Sequence, residues 1–329
     1  MGAFQTGVVA NHREFMTTLY DFLTGAPATP GRDWTSLMYE NTKNNASSEP
    51  FGSNCKQFVL KNIGVSGTEV VIIGFRGWEY SAGGGYGMDL NGYITWTAGQ
   101  LWNDNSGDHG FTSYDSTWHR FSKHPQLPLM NDSMQYWFVS NQQRVFIAVK
   151  TASFYQSAYL GFGNRFGTPS QYPYPLLVIG SLYTNLLYSE TGSQHTFILR
   201  PYITSAEGNI WCVDASNIYS SKKTSMGALE LIPSNNDFGG YLGGFVRGDY
   251  HMRKLLFPVY IVMDSQLLMS LDGVYFNHSD SVSPEDIVIY NSKKHYFFSN
   301  VNRITYSDFL IVNTDVTGST TTTTTTTAP

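Results

Sequence analysis

The stretch that most limits the choice of fold is a pair of strand-like segments joined by a short polar loop. Gln135–Ser140 and Arg144–Lys150 are rich in aromatic and β-branched side chains, which are enriched in β-strands. Asn141, Gln142 and Gln143 lie between them, and a short polar loop between two such segments is typical of a β-hairpin. The sequence therefore predicts two neighbouring antiparallel strands here.

A segment of small residues, aromatic residues and prolines follows this hairpin. Ala152–Gly163 combines alanine and glycine with four aromatic side chains, a mixture that lets two backbones approach closely while rings fill the space around them. Residues 172–175 alternate tyrosine and proline before a predicted strand at Leu176–Ile179. Because each proline fixes φ and favours an extended residue before it, this ribbon should be stiff. We expect a rigid scaffold at the centre of the fold, without a chemical role. Its candidate residues are Tyr159, Gly161, Phe162, Gly163, Pro169, Tyr172, Pro173, Tyr174 and Pro175.

One α-helix is predicted near the N-terminus, over residues 9–24. Asn11 is its candidate N-cap, and Gly25 and Pro27 follow its end. Its apolar face should pack on a sheet, with a neighbouring subunit as the alternative. The residues that repeat at helical spacing are Val8, His12, Phe15, Leu19, Phe22 and Leu23.

The rest of the chain is dominated by short strand-like segments separated by turns, which favours a mainly β fold. Val70–Phe75 is a continuous apolar run and predicts a strand buried on both faces. We expect β-sandwich-like antiparallel sheets with one N-terminal α-helix, in a domain over residues 1–317 with a candidate subdivision near 188–194. Further strands are predicted at 33–39, 58–60, 88–96, 196–200, 209–213, 229–232, 255–263, 266–271, 274–276, 286–290, 295–298 and 308–312, with a hairpin loop at 291–294.

Gly83–Gly87 is a glycine cluster after an apolar strand, a position at which some nucleotide-binding proteins hold phosphate. No helical pattern follows it, and no lysine with serine or threonine completes a phosphate-binding loop. We therefore interpret the cluster as a flexible hairpin tip. Asn91-Gly92 is a further candidate hairpin turn.

Residues 100–128 collect tryptophan, aspartate, asparagine and histidine side chains, as a metal or sugar site would. Residues 104–108 lack the glutamate that completes an EF-hand calcium loop. His109, His119 and His124 do not follow a metal-ligand spacing. We interpret the region as an ordinary surface loop.

The composition indicates a surface that is covered by partners. Charged residues make up 14% of the chain, against about 25% in typical soluble proteins, and aromatic residues reach 15%. Interfaces favour aromatic side chains and are depleted in lysine and glutamate. The alternative is an ordinary β-rich protein with a polar, uncharged surface.

Charge and hydropathy argue against nucleic acid and membranes as partners. The net charge of −5 argues against a basic face for nucleic acid. The longest apolar run, Leu255–Met263, is far shorter than the roughly 20 residues of a membrane helix. The N-terminus lacks a signal-peptide pattern, so we expect a soluble protein made in the cytoplasm.

Residues 318–329 form a C-terminal tail rich in serine and threonine. This composition predicts extended, poorly ordered chain that joins no core. Because β-branched threonine suits addition to an exposed sheet edge, the threonines are candidate contacts with a partner. They are Thr320, Thr321, Thr322, Thr323, Thr324, Thr325, Thr326 and Thr327.

The run AYLGFGNRFGTPSQYPYPLLVIGS, residues 158–181, resembles a motif of a family of virion proteins from tailed bacteriophages. In that family a hairpin similar to WFVSNQQRVFIAVK precedes the motif. The N-terminal helix, the strand at Trp34–Met38, and Leu271–Tyr275 before a hairpin that ends near residue 310 are similar too. The resemblance covers most of residues 5–312 and is concentrated in 136–181. The C-terminal tail and the glycine cluster depart from it.

The resemblance implies a non-enzymatic structural component of the virion, tail- or neck-associated (collar, neck or baseplate), which contacts copies of itself and other virion proteins. The alternative is a receptor- or carbohydrate-binding tail-fibre module. An enzyme ranks last, because the sequence contains neither G-x-S-x-G nor HExxH, and Glu285-Asp286 follows Ser283-Pro284, where it favours a turn. We expect no cofactor, metal, nucleic acid, membrane or small-molecule ligand.

Overall fold

The structure is a computed structural model, and it describes residues 2–40, 56–80, 85–93, 95–99, 126–152, 154–166, 176–182, 194–199, 211–214, 229–232, 249–250, 253–254, 256–263, 266–278, 283–290, 292–299 and 308–314. The helix of these ranges is α1 (His12–Thr24). The strands are β1 (Gly2–Val9), β2 (Thr35–Glu40), β3 (Gln57–Asn62), β4 (Val71–Tyr80), β5 (Gly85–Tyr93), β6 (Gln126–Leu129), β7 (Met134–Asn141), β8 (Arg144–Thr151), β9 (Phe154–Phe162), β10 (Asn164–Arg165), β11 (Leu176–Leu182), β12 (Gln194–Leu199), β13 (Trp211–Asp214), β14 (Leu229–Ile232), β15 (Asp249–Tyr250), β16 (Arg253–Lys254), β17 (Phe257–Met263), β18 (Gln266–His278), β19 (Ile287–Tyr290), β20 (Lys293–Ser299) and β21 (Asp308–Asn313). The predicted fold class, mainly β with antiparallel sheets and one N-terminal helix, is confirmed.

Two large antiparallel sheets contain nearly all of these strands. The larger sheet has the order β1-β7-β8-β9-β11-β6-β5-β4-β3-β2, and β12 and β13 extend from β11. The smaller sheet has the order β14-β17-β18-β21-β20-β19, with β10 paired to β18. Both predicted hairpins are confirmed, since β7 pairs with β8 and β19 pairs with β20. The second loop is shorter than the predicted 291–294, because Lys293 and Lys294 already belong to β20.

The side chains of β7 and β8 divide the core into two layers. Phe138 pairs with Ile147, and both lie on one face of the larger sheet. Trp137 pairs with Ala148, and both lie on the opposite face. Alternation of this kind follows from the two-residue period of a strand. Because both faces are buried, the two strands are apolar along nearly their whole length.

The first layer, here called the helix-side core, lies between α1 and the larger sheet. Phe15, Leu19 and Phe22 of the helix pack in one cluster with Phe138 of β7 and Phe75 of β4. The apolar face of the helix thus packs on the sheet, as expected. The larger sheet bends around this core, because β4 contacts β9 although other strands separate them in the sheet.

The second layer, here called the inter-sheet core, lies between the two sheets. Phe146 and Tyr159 of the larger sheet pack with Leu271 and Phe298 of the smaller one. The rings of Trp137 and Phe298 meet at a centroid distance of 5.1 Å and an angle of 66°, a favourable edge-to-face arrangement. The architecture is a β-sandwich with a helix on the outer face of its larger sheet.

The helix begins later than predicted. Val8 lies in β1, pairs with Gln135 and is 67% exposed, so it does not belong to the apolar face of the helix. All eight residues of β1 pair with β7, and this pairing outweighs the helical spacing at residue 8. The N-cap prediction is confirmed, because Asn11 Oδ1 accepts hydrogen bonds from the N–H groups of Arg13 and Glu14, each at 3.0 Å.

The turn predicted at Asn91-Gly92 is wrong. These residues lie inside β5 and pair with residues 73–74 of β4. The local preference of Asn-Gly for a turn is outweighed by continuous pairing of the two strands. Tyr80 pairs with Gly85, so the connection between the strands falls at residues 81–84, and the last part of the predicted hairpin tip is already strand.

Two boundaries predicted in the C-terminal half of the chain can also be compared with the described residues. The strands predicted at 266–271 and 274–276 are one strand, β18, which pairs with β17 and β21. Most of the candidate subdivision at 188–194 lies outside the described residues. The strands on either side of it, β11 and β12, pair with each other in the larger sheet.

Candidate functional site

Strand β9 carries part of the segment that the sequence singled out. It lies between β8 and β11 in the larger sheet, and its Tyr159 and Phe162 are buried. Gly161 has a φ of +130°, and a Cβ placed there would lie 2.2 Å from the backbone oxygen of Gln143 and 2.5 Å from Cα of Arg144. Glycine fits this position because it lacks a Cβ and adopts positive φ at low cost.

Gly163 brings the chain close to the smaller sheet. A Cβ at this residue would lie 2.8 Å from Sδ of Met269 and 3.0 Å from the backbone oxygen of Ser270, both in β18. The next two residues, Asn164 and Arg165, form β10 and pair with β18. The chain therefore passes from the larger sheet to the smaller one directly after Gly163.

The hydroxyl of Tyr159 connects β9 to β18. It donates a hydrogen bond to the backbone oxygen of Phe162 at 2.7 Å and accepts one from the N–H of Asp272 at 3.3 Å. Burial raises the pKa of Tyr159, and the nearby Asp272 carboxylate raises it further. The phenol therefore stays neutral and acts as a fixed hydrogen-bonding group between the sheets.

An ion pair between Arg144 and Asp272 joins β8 to β18 beside this tyrosine. Arg144 Nε lies 3.0 Å from Asp272 Oδ2, and the side-chain amide of Asn141 donates to the same oxygen at 2.8 Å. Burial opposes ionisation of Asp272, but the Arg144 guanidinium and the hydrogen bonds outweigh it and lower its pKa. The carboxylate is charged at neutral pH and holds the hairpin loop against the smaller sheet.

The loop between β7 and β8 is fixed by its own side chains as well. Asn141 Oδ1 accepts hydrogen bonds from the N–H groups of Gln143 at 2.9 Å and Arg144 at 2.8 Å. Such bonds from an asparagine to the following backbone stabilise tight turns. Gln142 donates to Asp33 Oδ2 at 3.0 Å, which links the loop to the segment that precedes β2.

A second polar cluster links the larger sheet to the turn before β19. Glu285 Oε1 lies 2.6 Å from Lys150 Nζ and accepts a hydrogen bond from the hydroxyl of Tyr155. Glu285 Oε2 accepts a weaker one from the side chain of Gln135 at 3.5 Å. The turn expected at Glu285-Asp286 is confirmed, since Glu285 has a φ of +72° and Asp286 N–H donates to the backbone oxygen of Ser283 at 3.1 Å.

The ionisation of this second cluster is set by burial and by its internal hydrogen bonds. The bond to Glu285 raises the pKa of Lys150. Burial raises the pKa of Tyr155 to about 12. Burial opposes ionisation of Glu285, but Lys150 and Tyr155 outweigh it, and the pKa of Glu285 is lowered. At neutral pH the cluster is a salt bridge supported by a neutral phenol.

His12 anchors the start of α1 to β4. Its ring is buried, and Nε2 lies 3.5 Å from Oε2 of Glu79, which also accepts a hydrogen bond from Arg13 at 2.6 Å. The ring of Tyr86 packs against it at a centroid distance of 4.7 Å. Burial lowers the pKa of His12 despite the Glu79 carboxylate. The neutral imidazole is thus part of the packing between helix and sheet.

Sequence reasoning missed the charged residues of these clusters. Arg144 is a charged residue at the start of an apolar strand, which is a usable signal for a buried ion pair. Its partner Asp272 lies 128 positions away, and no periodicity connects the two. The sequence around Glu285 predicts only a turn, although the Glu285 side chain reaches Lys150 at a sequence separation of 135.

The remaining predicted residues lie outside the described ranges. They are Pro169, Tyr172, Pro173, Tyr174, Pro175, the eight threonines from Thr320 to Thr327, and the acidic and histidine residues between 100 and 125. Within the described ranges, no group of three histidine, cysteine, aspartate or glutamate side chains could hold a metal ion. The described part of the chain also has no helix long and apolar enough to span a bilayer.

The geometry of the three polar clusters shows that each one connects separate parts of the fold. The Arg144 and Glu285 clusters each join the larger sheet to the smaller one, and the His12 cluster joins α1 to β4. Groups committed to such contacts are suited to holding a rigid shape. No protein-family model matches the chain, and no curated protein is significantly similar to it.

Proposed function

We propose that the protein is a non-enzymatic structural component of a tailed bacteriophage particle, associated with its tail or neck (collar, neck or baseplate). It acts through contacts with copies of itself and with other virion proteins, and it works without a cofactor. The proposal rests on the resemblance of residues 158–181 to a virion-protein motif. It also rests on what that segment does in the fold.

The observation that carries the proposal is the position of residues 158–163, the first part of the motif, at the junction of the two sheets. Gly161 lies against the hairpin loop, Gly163 lies against β18, and the Tyr159 hydroxyl bonds to Asp272. These residues are buried, and their contacts are with other residues of the same chain. A motif used in this way supports a precise, rigid shape, which is what a repeated building block of a particle requires.

The composition supports the same proposal. With 14% charged and 15% aromatic residues, the chain resembles the interior of protein interfaces more than a freely exposed surface. Exposed apolar side chains are also present on the described surface, among them Val8, Ile287 and Ile289. Contact with other subunits would remove these side chains from water.

A receptor- or carbohydrate-binding module would need aromatic faces exposed in a groove. Trp34, Trp78 and Trp137 are instead buried in the described part of the chain. Trp137 packs against Phe298 in the inter-sheet core, and the indole N–H of Trp34 donates to Ser140 Oγ at 3.0 Å. These three tryptophans serve the core and are not available to a ligand, whereas Trp96 is partly buried and Tyr39, Phe166 and Tyr290 are exposed.

The proposal is tested on purified particles of the phage that encodes the chain. We expect mass spectrometry to find the protein in multiple copies per particle, and antibody labelling in electron micrographs to place it at the tail or neck. Particles that lack the protein in both measurements would overturn the proposal.

The threonines of the C-terminal tail are proposed contacts with a partner. Deletion of residues 318–329 should leave the unfolding free energy of the isolated protein unchanged, because a serine- and threonine-rich sequence supplies no large apolar side chains for a core. The same deletion should lower incorporation into particles. Unchanged incorporation would show that the tail is dispensable for assembly.

A further inference from the structure

Strand β19 presents an apolar edge of the smaller sheet. It stands at the end of the strand order, and within the described residues it pairs with β20 alone. Ile287 is 50% exposed, Ile289 is 70% exposed and Tyr290 is 47% exposed. A strand edge offers unpaired backbone N–H and C=O groups to another strand, and proteins usually protect such edges with charges or proline. Here β19 itself carries neither.

The same side of the sandwich exposes an apolar residue of the larger sheet. Phe4 of β1 contacts the ring of Tyr296 at a centroid distance of 5.3 Å, so β1 lies opposite β20. Ile287 pairs with Tyr296, so these two side chains lie on the same face of the smaller sheet. Val8 lies four residues from Phe4 in β1, so these two side chains lie on the same face of the larger sheet. Val8 and Ile287 therefore lie on the facing sides of two neighbouring sheet edges.

We call Val8, Ile287, Ile289 and Tyr290 the edge patch, in which Tyr290 lies on the opposite face of β19 from Ile287 and Ile289. Its position is fixed by the Glu285 cluster, because Gln135 pairs with Val8 and its side chain donates to Glu285. Glu285 in turn lies two residues before Ile287. The patch is thus connected to the larger sheet through Glu285.

The charges at the two ends of β19 select the direction of a partner strand. Asp286 directly precedes the strand. Lys293, the first residue of β20, pairs with Tyr290 at the other end of β19, and both charged residues are exposed. A second copy paired in parallel would place like charges together at each end. An antiparallel copy places the Asp286 end of each strand beside the Lys293 end of the other, so the surface is complementary to itself.

We infer that the edge patch is a docking surface for a second copy of this chain, formed by antiparallel pairing of β19 with β19 of the partner about a two-fold axis. Because each copy uses its one β19 edge, the pairing closes at a dimer. This inference deepens the proposed function and rests on it for its biological setting.

The expected interface extends beyond the two strands. Specific interfaces bury about 1,200–2,000 Å² in total, which is more than two four-residue strands supply. Val8 and the hairpin around Lys293 flank β19 and enlarge the contact area. The dimer should therefore depend on apolar contact, strand pairing and the end charges together.

The test compares two matched substitutions in the full-length protein. Ile289→Lys places a charge on the edge patch, and Ile63→Lys makes the same change at an isoleucine that is 51% exposed near the end of β3. Sedimentation equilibrium at concentrations on the order of 100 μM detects dimers with micromolar dissociation constants. We expect a wild-type dimer, an Ile63→Lys dimer of equal affinity, and a dissociation constant for Ile289→Lys raised at least about tenfold.

A charge exchange tests the direction of pairing. Asp286→Lys alone and Lys293→Asp alone should each weaken the dimer, because each places like charges together across the interface. The double variant should restore the affinity toward that of the wild type. Both positions are exposed. Asp286 Oδ2 accepts a hydrogen bond from Ser283 N–H at 2.7 Å, so circular dichroism and thermal melts check that each variant keeps its fold.

The outcomes separate this inference from the proposed function. A monomeric wild-type protein, or equal affinity of the Ile289→Lys and Ile63→Lys variants, would overturn the docking surface even if the protein is found in particles. Failure of the double variant to recover would overturn the antiparallel arrangement. A dimer with the expected pattern, from a protein absent from particles, would support the surface and overturn the virion role.

Discussion

Arg144 Nε and Asp272 Oδ2 lie 3.0 Å apart, although 128 positions separate the two residues in the sequence. The hairpin loop, β9 and β18 meet around this ion pair. The backbone oxygen of Gln143 accepts a hydrogen bond from Phe162 N–H at 2.8 Å, and it occupies the space that a Cβ at Gly161 would take. The ion pair and the glycine-containing segment therefore form one unit that joins the two sheets.

Asp272→Asn should destabilise the protein, because it leaves the buried Arg144 guanidinium without its counter-charge. Loss of one partner of a buried pair costs about 3–5 kcal/mol, and since Asp272 is partly exposed we expect about 3 kcal/mol. Urea denaturation gives the change in unfolding free energy. Asp21→Asn, at an exposed aspartate of α1, is the control and should remain close to the wild type.

The same variant should change the response to acid. The pKa of Asp272 is lower in the folded protein than the value of about 3.9 in an unfolded chain. Its charge therefore stabilises the fold above that pH, and this contribution is lost as the pH falls through the folded pKa. Unfolding free energies measured between about pH 5 and pH 2 should fall less steeply for Asp272→Asn than for the wild type. Equal slopes would show that the ion pair does not contribute.

Lys150 and Glu285 should show a smaller coupling than the first pair, because both side chains are partly exposed. A double-mutant cycle with Lys150→Met and Glu285→Gln should give about 0.5–1 kcal/mol. The coupling should shrink at high salt. It should also vanish at a pH below the lowered pKa of Glu285, so the acid measurement is the internal control. A coupling that survives at that pH would mean that packing, and not charge, joins the two residues.

Asn11→Ala should cost about 1 kcal/mol, because two N–H groups at the start of α1 lose their acceptor. Asn11→Ser should retain most of the stability, since a serine oxygen can accept the same hydrogen bonds. Chemical denaturation of both variants measures the difference. If the two variants are equally stable, the side-chain oxygen of Asn11 is not what holds the helix end.

The features predicted correctly are those encoded by neighbouring residues. The strands on either side of Asn141 and the N-cap at Asn11 follow from local composition and spacing, and the structure contains them both. The mainly β fold class follows from the same kind of pattern repeated along the chain.

The features that were missed depend on distant pairing. Strand β1 has an indistinct local pattern, GAFQTGVV, and becomes a strand through continuous pairing with β7. Asn91 lies in a sequence that favours a turn, but its pairing with Gly74 keeps it in β5. Likewise, nothing near Glu285 in the sequence indicates that its carboxylate reaches Lys150. Local patterns thus define elements, whereas the contacts between sheets require the fold itself.

Gly161 offers the sharpest test of the junction between the sheets. Gly161→Ala introduces a Cβ that would meet the backbone oxygen of Gln143 at 2.2 Å and Cα of Arg144 at 2.5 Å. It also forces an alanine into a backbone conformation with a φ of +130°. Because the neighbouring atoms are backbone of the fixed hairpin loop, they cannot move aside cheaply. We expect a loss of about 3 kcal/mol or more.

Gly67→Ala is the matched control, because Gly67 also has a positive φ, +72°, but nothing lies within 4 Å of its added Cβ. It reports the backbone cost alone, which should be about 1 kcal/mol. The difference between the two variants in urea denaturation measures the steric contact at the junction together with the additional backbone strain of an alanine at a φ of +130°. If both lose the same stability, the approach of β9 to the hairpin loop is loose enough to accept a methyl group. The scaffold role assigned to Gly161 would then be wrong.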